Sequence, residues 1–269
     1  MNSESLAWKI RRHAVEMVHR SGASHIASAL SAADILAVLY ADVLRVDPRR
    51  PDWPERDRFV MSKGHAGAAL YAALAECGFF PVAELDRYYQ DGSVYSGHVS
   101  HKGIPGVEVS TGSLGHGVGM ACGMALAGHA SEHPFRVFAL AGDGECDEGI
   151  VWEAALAAGH CHLDNFTLIV DRNGMQAMGP SESVMALEPL GEKWRSFGWE
   201  VLDVADGHDH QQLRRAFAAP SHGRPRCILA HTVKGKGISF MENELLWHYR
   251  DPQGEFYDRA VAELEAQRI

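Results

Sequence analysis

Asp143 stands between Gly142 and Gly144, just after an apolar stretch ending at Leu140, and Asn173-Gly174 follows thirty positions later, just after a second such stretch ending at Val170. If the stretches are neighbouring strands of one sheet, Asp143 and Asn173 reach the same edge. A carboxylate oxygen and an amide oxygen are hard ligands. They suit magnesium or calcium and leave coordination positions for phosphate oxygens and water. Gly144 lets backbone N–H groups come close to a diphosphate at a helix N-terminus. Each turn alone is also what an ordinary strand-to-helix connection looks like, since Asp and Asn favour such places. The sixteen histidines are many for 269 residues, and three lie in glycine-containing turns where a side chain can face a ligand. His65 alone reads equally well as a surface residue at a helix N-terminus. His160-Cys161-His162 lacks a fourth ligand nearby and reads as structural.

The elements that must hold these residues follow from periodicity. Leu6, Ile10, Ala14, Met17 and Val18 recur at helical spacing, as do Ile35, Leu36, Val38 and Leu39 after Ser31, with a turn at 21–25 between them. Pro48, Pro51 and Pro54 mark a surface connection over 44–56. A third helix is expected after His65, from Ala68 to Ala75. Residues 91–117 are rich in Gly, Ser and His, a loop longer than most connections in compact domains and for that reason a functional candidate. A helix over 114–128 is expected despite Gly117, Gly119 and Gly123. Gly115, Gly117 and Met120 do not complete the G-x-G-x-x-G of a dinucleotide site. The second half alternates strands at 136–140, 166–170, 200–204 and 227–231 with helices at 152–159 and 211–217. That order predicts an α/β fold, a mainly parallel central sheet with helices on both faces, whose ligands bind at the carboxyl ends of the strands.

A chain of 269 residues that is 46% hydrophobic can bury one substantial core, so a single domain over 1–269 is expected. The formal net charge of -10 recruits neither nucleic acid nor an anionic membrane. The N-terminal twenty residues intersperse charge with apolar residues, unlike a signal peptide, and no apolar run is read as long enough to span a membrane. Cys77, Cys122, Cys146, Cys161 and Cys227 form no C-x-x-C pair, which favours a reducing, cytoplasmic setting.

Asp143 and Asn173 together resemble the thiamine diphosphate motif, in which Gly-Asp-Gly is followed after about thirty residues by Asn. The order Gly97-His98, Thr111-Gly112-Ser113-Leu114-Gly115 and Gly142-Asp143-Gly144-Glu145-Cys146-Asp147-Glu148-Gly149 is similar to the N-terminal, cofactor-binding domain of transketolases. Asp57-Arg58-Phe59-Val60, Ser62-Lys63-Gly64-His65, Asp206-Gly207-His208-Asp209 and Thr232-Val233-Lys234-Gly235-Lys236-Gly237 leading to Trp247-His248 agree. The similarity covers nearly the whole chain. It implies thiamine diphosphate bound through magnesium, or calcium or manganese, with Asp143, Asn173 and the backbone carbonyl of Met175 as metal ligands. It places His65, Gly112, Ser113, Leu114, Gly142, Gly144, Glu145, Asn173 and His248 against the cofactor, with Leu114 and its neighbours beside the aminopyrimidine. His25, His98 and His248 would hydrogen-bond the sugar oxygens and move protons, work suited to an ordinary imidazole pKa of about 6.5. Glu148 would lie at the subunit contact that links paired active sites.

The resemblance further implies transfer of a two-carbon ketol unit from a ketose to an aldose. It also implies that a separate C-terminal subunit supplies the pyrimidine-binding domain, because that domain and the third are expected to be absent from this sequence. Two copies of each chain and small-molecule sugar substrates follow. Ile26-Ala27-Ser28, Ser113, His116 and Tyr249-Arg250 depart from the common pattern, which keeps open a specialised pathway with a carrier thiol or unusual acceptor. A non-catalytic binding or regulatory module is the alternative of another class. Intact Asp143, Asn173, His65, Glu148 and His25 weigh against it.

Overall fold

The computed structural model describes residues 2–268. Five strands form one all-parallel sheet: β1 (Arg58–Met61), β2 (Val137–Gly142), β3 (Phe166–Arg172), β4 (Glu200–Val204) and β5 (Arg226–His231). Their order is β1-β2-β3-β5-β4. Because β2 and β3 are neighbours, with Gly142 opposite Asp171, the turns carrying Asp143 and Asn173 emerge side by side, as their spacing predicts.

Alternate side chains of the central strands feed two cores. On one face Phe138, Leu140, Ile169 and Ile228 pack with α1 (Ser3–Ser21), α2 (Ile26–Val38) and α3 (Gly67–Glu76). On the other, Ala139, Ala141, Leu168, Val170 and Leu229 pack with α4 (His116–His129), α5 (Gly149–His160) and Trp194. Short helices α6 (Ser181–Val184) and α7 (Leu190–Ser196) follow β3, α8 (His210–Ala218) follows β4, and α9 (Glu255–Glu265) ends the described chain.

Two sequence expectations need correcting. The second helix begins at Ile26, not after Ser31, because every residue of α2 is buried and so shows no amphipathic period to read. Continued through a π-helical turn at Leu39–Val43, it gives an 18-residue apolar span, Ile26–Val43, with mean hydropathy 1.6. That is long and apolar enough to cross a membrane, contrary to expectation. Since 83% of it is buried inside the fold, it is the core helix of this sheet face. Strand β1 and helices α6, α7 and α9 have no counterpart in the sequence reading.

Candidate active site

The carboxyl ends of the strands open on a cavity of about 560 Å³. Its walls come from the start of α2, the turn after β1, the long 91–115 loop, the turns after β2 and β3, and the segments at Lys234 and His248. Glu145 bolts several of these walls together. Its carboxylate is buried and accepts hydrogen bonds from the backbone N–H groups of Gly142 and Gly115, both at 2.9 Å, and from the Ser62 hydroxyl. Burial raises its pKa, opposed by those three bonds. Glu145 lines the cavity, and with both carboxylate oxygens engaged within the chain it also has a positioning task.

Gly64 shows why the 91–115 loop lies where it does. A Cβ there would sit 2.6 Å from Thr111 Oγ1 and 2.7 Å from the Thr111 carbonyl carbon, so only glycine permits this approach. Thr111 Oγ1 in turn donates to the Met61 carbonyl at 2.7 Å, and Val99 N donates to the Gly64 carbonyl at 3.1 Å. These contacts deliver His98 to the cavity.

Four imidazoles meet there. The His25 ring centroid lies 5.4 Å from His65, 5.4 Å from His98 and 4.9 Å from His248, while His65 and His248 are 5.9 Å apart. His25 is held in the left-handed region (φ 73°), with its N–H donating to the His248 carbonyl at 2.9 Å and its Nδ1 2.8 Å from Ser24 Oγ. Burial, then the neighbouring His98 and Lys234, push His25 down to about 4. Burial with Lys234, His25 and Lys63 pushes His248 down to about 3. His65 falls well below its usual range through burial, Lys63, His25, His248 and Lys234, and His98 is lowered by burial. All four are neutral near pH 7, able to donate and accept hydrogen bonds without carrying charge. Free imidazole's pKa, the basis of the sequence argument, is therefore not theirs.

Asp143 is 2% exposed. Its Oδ2 accepts from Ser181 Oγ at 2.9 Å and from Arg172 Nη1 at 3.1 Å, whereas Oδ1 is buried without a hydrogen-bond partner. Burial raises the Asp143 pKa, opposed by Arg172 and Ser181. An unpartnered buried carboxylate oxygen facing a cavity fits a cation. Asn173 Oδ1 accepts from Met175 N at 3.1 Å, which folds the turn so that Met175 also lines the cavity. Among the described residues no three His, Cys, Asp or Glu side chains cluster for a metal. The expected ligand set is of another kind, one carboxylate with an amide and a main-chain oxygen. The neighbouring Gly142 also lines the cavity, and a Cβ on it would meet no protein atom within 4 Å. Packing within the chain does not demand that glycine, which fits close approach by a ligand.

Gly112, Leu114, Gly144 and Glu148 also line the cavity. Glu148 is the exposed N-cap residue of α5. Ser113 does not join them: it is exposed, with Oγ 3.1 Å from His116 Nδ1. Among the lining residues that the sequence reading did not assign to the site are Ser28, Lys63 and Lys234. Both lysines lay inside motifs quoted for their glycines and histidine, and a buried charge is the signal that only structure supplies. Lys63 ion-pairs with the fully buried Asp171, which also accepts from Ser31 Oγ and Thr232 Oγ1. Lys234 is 2% exposed and, among the described residues, has no carboxylate in contact. Its Nζ donates to the Met175 carbonyl at 3.3 Å. Burial and the nearby Lys63 lower it to about 8, with Asp171 and Asp143 opposing.

Comparison with known proteins agrees with this geometry. The family model "Transketolase, thiamine diphosphate binding domain" matches residues 2–249. The chain is 43% identical over 260 residues to the 6-deoxy-6-sulfo-D-fructose transketolase subunit SqwG of Clostridium sp. (strain MSTE9), covering 96% of this chain and 94% of that protein. It is 41% identical over 263 residues to a subunit of the apulose-4-phosphate transketolase of Phocaeicola vulgatus, covering 97% and 92% respectively. Among solved structures, the transketolase of Campylobacter jejuni superposes with a TM-score of 0.89 at 29% identity. The match covers 98% of this chain and 43% of that one, so this chain spans less than half of the solved enzyme. With the family model covering nearly its whole length and the cavity built at the strand ends, the chain belongs to the transketolase family, as the thiamine diphosphate-binding domain of a thiamine diphosphate-dependent transferase.

Proposed function

We propose that this chain is the diphosphate-binding subunit of a two-component, metal-dependent transketolase, which moves a two-carbon ketol unit from a ketose to an aldose acceptor. The observation that carries the reading is the pairing of opposite needs in one cavity. Asp143 presents an unpartnered carboxylate oxygen and Lys234 an ammonium without a carboxylate in contact, and a divalent cation with a diphosphate answers both. Asp143 would hold the metal together with Asn173 and the Met175 carbonyl. Lys234, His65 and the backbone at Gly144 would hold the diphosphate. Bound thiamine diphosphate supplies the electron sink for breaking and making the C–C bond. The neutral imidazoles of His25, His98 and His248 orient the sugar's hydroxyl and carbonyl oxygens and pass protons between them.

A partner chain is supported by what the surface leaves uncovered. Leu114, Met178 and Met185 are exposed; Leu114 and Met185 line the cavity at its edge and Met178 beside them. Gly123, Leu126 and Ala127 on α4 and Leu156 and Ala157 on α5 are exposed small or apolar residues on two helices that pack together, with Glu148 at the start of α5. Small residues let a helix of another chain approach closely. Two curated relatives are named as subunits, one for a sulfo-sugar and one for a sugar phosphate. We accordingly propose assembly with a C-terminal subunit, two copies of each, in the cytoplasm.

The test is reconstitution with the natural partner, followed by calorimetric titration with thiamine diphosphate with and without magnesium. Ketol transfer is then assayed from a panel of phosphorylated, sulfonated and unsubstituted ketoses. Magnesium-dependent binding with transfer to an aldose is expected. Binding without any C–C transfer would move the reading to a carrier-linked acceptor, and absence of magnesium-dependent binding would leave a non-catalytic module.

A further inference from the structure

The motif Asp206-Gly207-His208-Asp209 lies outside the cavity, and the proposed chemistry does not use it. Its imidazole joins two parts of the fold far apart in sequence. His208 Nδ1 is 2.6 Å from Asp34 Oδ2, and its Nε2 is 2.8 Å from the backbone N of Val233. A backbone N–H only donates, so Nε2 carries no hydrogen and Nδ1–H donates to Asp34. The tautomer is fixed by its neighbours. Asp34 is itself immobilised: it is 5% exposed, paired with the Arg11 guanidinium, and accepts from His210 Nε2 at 3.0 Å.

Val233 is one pin of a bracket. At Thr232 the bracket is pinned through Oγ1 to Asp171, and at Gly235 its N–H donates to the Ala27 carbonyl at 3.0 Å. Gly235 has φ +83°, and a Cβ on it would fall 2.2 Å from the Met241 carbonyl oxygen, so only glycine fits at this end of the bracket. Between Val233 and Gly235 stands Lys234, whose side chain enters the cofactor cavity. His208 and Asp34 approach the bracket from behind and are absent from the cavity wall. They line a separate hollow of about 200 Å³ with Glu4 and Arg11.

We propose that His208, held by Asp34, is a positioning residue that sets the 232–235 bracket so that the Lys234 ammonium meets the cofactor's diphosphate. The inference rests on the reading of the cavity as a diphosphate site. It assigns the Asp-Gly-His-Asp motif a role in cofactor affinity exerted through another residue. Gly207 N, donating to the His231 carbonyl at 2.6 Å, brings the motif to the end of β5, where the bracket begins.

A double-mutant cycle tests it. Magnesium thiamine diphosphate is titrated into the wild-type chain, His208→Leu, Lys234→Met and the double variant, each reconstituted with the natural partner, with the melting temperature of each recorded. Alone, H208L is expected to weaken binding about tenfold, the loss of one aligned charged contact. In the K234M background the same change is expected to weaken binding by less than about twofold, since the group it positions is already gone. A merely structural role for His208 would lower the melting temperature in both backgrounds and weaken binding by the same factor in each. That result, or unchanged affinity of H208L, overturns the proposal. Should H208L fail to fold, His208→Gln is used, which keeps an acceptor for Val233 N–H and must bind within about threefold of wild type if the bridge is what matters. Wild-type binding is measured first: if it is absent, the diphosphate reading itself fails, and if it is present while the variants are uncoupled, only the role of His208 fails.

Discussion

Lys234→Met separates the two demands on this chain, folding and binding, because the two should respond in opposite directions. In the folded chain without cofactor, burial and the proximity of Lys63 hold Lys234 near 8, against an ordinary value of 10.5. For a base whose folded pKa lies below its unfolded one, the destabilisation is fully present below the folded pKa. It fades as pH rises from about 8 and is gone above about 10.5. The displacement corresponds to on the order of 3 kcal/mol at pH 7. Methionine has nearly the same length and no charge. It forfeits only the 3.3 Å bond to the Met175 carbonyl, about 1 kcal/mol. K234M should therefore be more stable than wild type at pH 7 by about 2 kcal/mol, an advantage that vanishes by about pH 10.5. Binding should move the other way, weakening thiamine diphosphate by about tenfold to a hundredfold, because a buried charge-assisted contact is lost. Urea titrations of the cofactor-free chain at several pH values give the first quantity and calorimetry of the reconstituted enzyme the second. If K234M is less stable at pH 7, or binds cofactor as wild type does, Lys234 is a structural cation and the electrostatic reasoning is wrong.

Asp143→Asn should abolish magnesium-dependent cofactor binding while leaving the circular dichroism spectrum unchanged, since the amide can still accept from Ser181; retention of magnesium dependence would remove Asp143 from the metal site. His25→Ala and His98→Ala should each lower turnover about a hundredfold with cofactor affinity within about threefold, read as kcat against Kd. Unchanged turnover would take that residue out of the chemistry. His248, displaced downward to about 3, is a base that the unfolded chain protonates first. Its contribution to stability is intact above about pH 6.5 and falls as pH drops towards 3. At pH 5 the loss is on the order of 2 kcal/mol, and a His248→Asn chain should show a correspondingly shallower decline in urea titrations between pH 7 and 5.

The residues legible in the sequence are those whose chemistry and position coincide. Asp143 and Asn173 sit at the ends of apolar runs, so period-two strands and a parallel sheet suffice to bring them together. Strand β1 escaped because four residues behind a proline-rich connection show no alternation: Phe59, Val60 and Met61 are buried on both faces. The start of α2 escaped for the helical version of the same reason. The fastening role of Glu145 was not legible because two of its three partners, Ser62 and Gly115, lie 83 and 30 residues away. His208 is the extreme case, since its partner Asp34 is 174 residues distant. Long-range polar pairs leave no periodicity behind them.

The electrostatics of the cavity then separate the roles of its residues. Of its two buried ammonium groups, Lys63 is neutralised within the chain by Asp171, whereas Lys234 touches only a carbonyl. The Asp143 carboxylate is held on one oxygen by Arg172 and Ser181 and bare on the other. A metal alone would satisfy Asp143 but add positive charge beside Lys234, and a diphosphate alone would satisfy Lys234 but set anion against Asp143. Each ligand therefore relieves the penalty that the other creates, and binding of the two should be mutually reinforcing. His25, His98 and His248, neutral and assigned to the sugar, stand outside that exchange. Removing one should leave the cooperativity between magnesium and thiamine diphosphate intact, whereas K234M should reduce it. A titration of cofactor at varied magnesium measures this directly, and equal cooperativity in wild type and K234M would show that Lys234 takes no part in it.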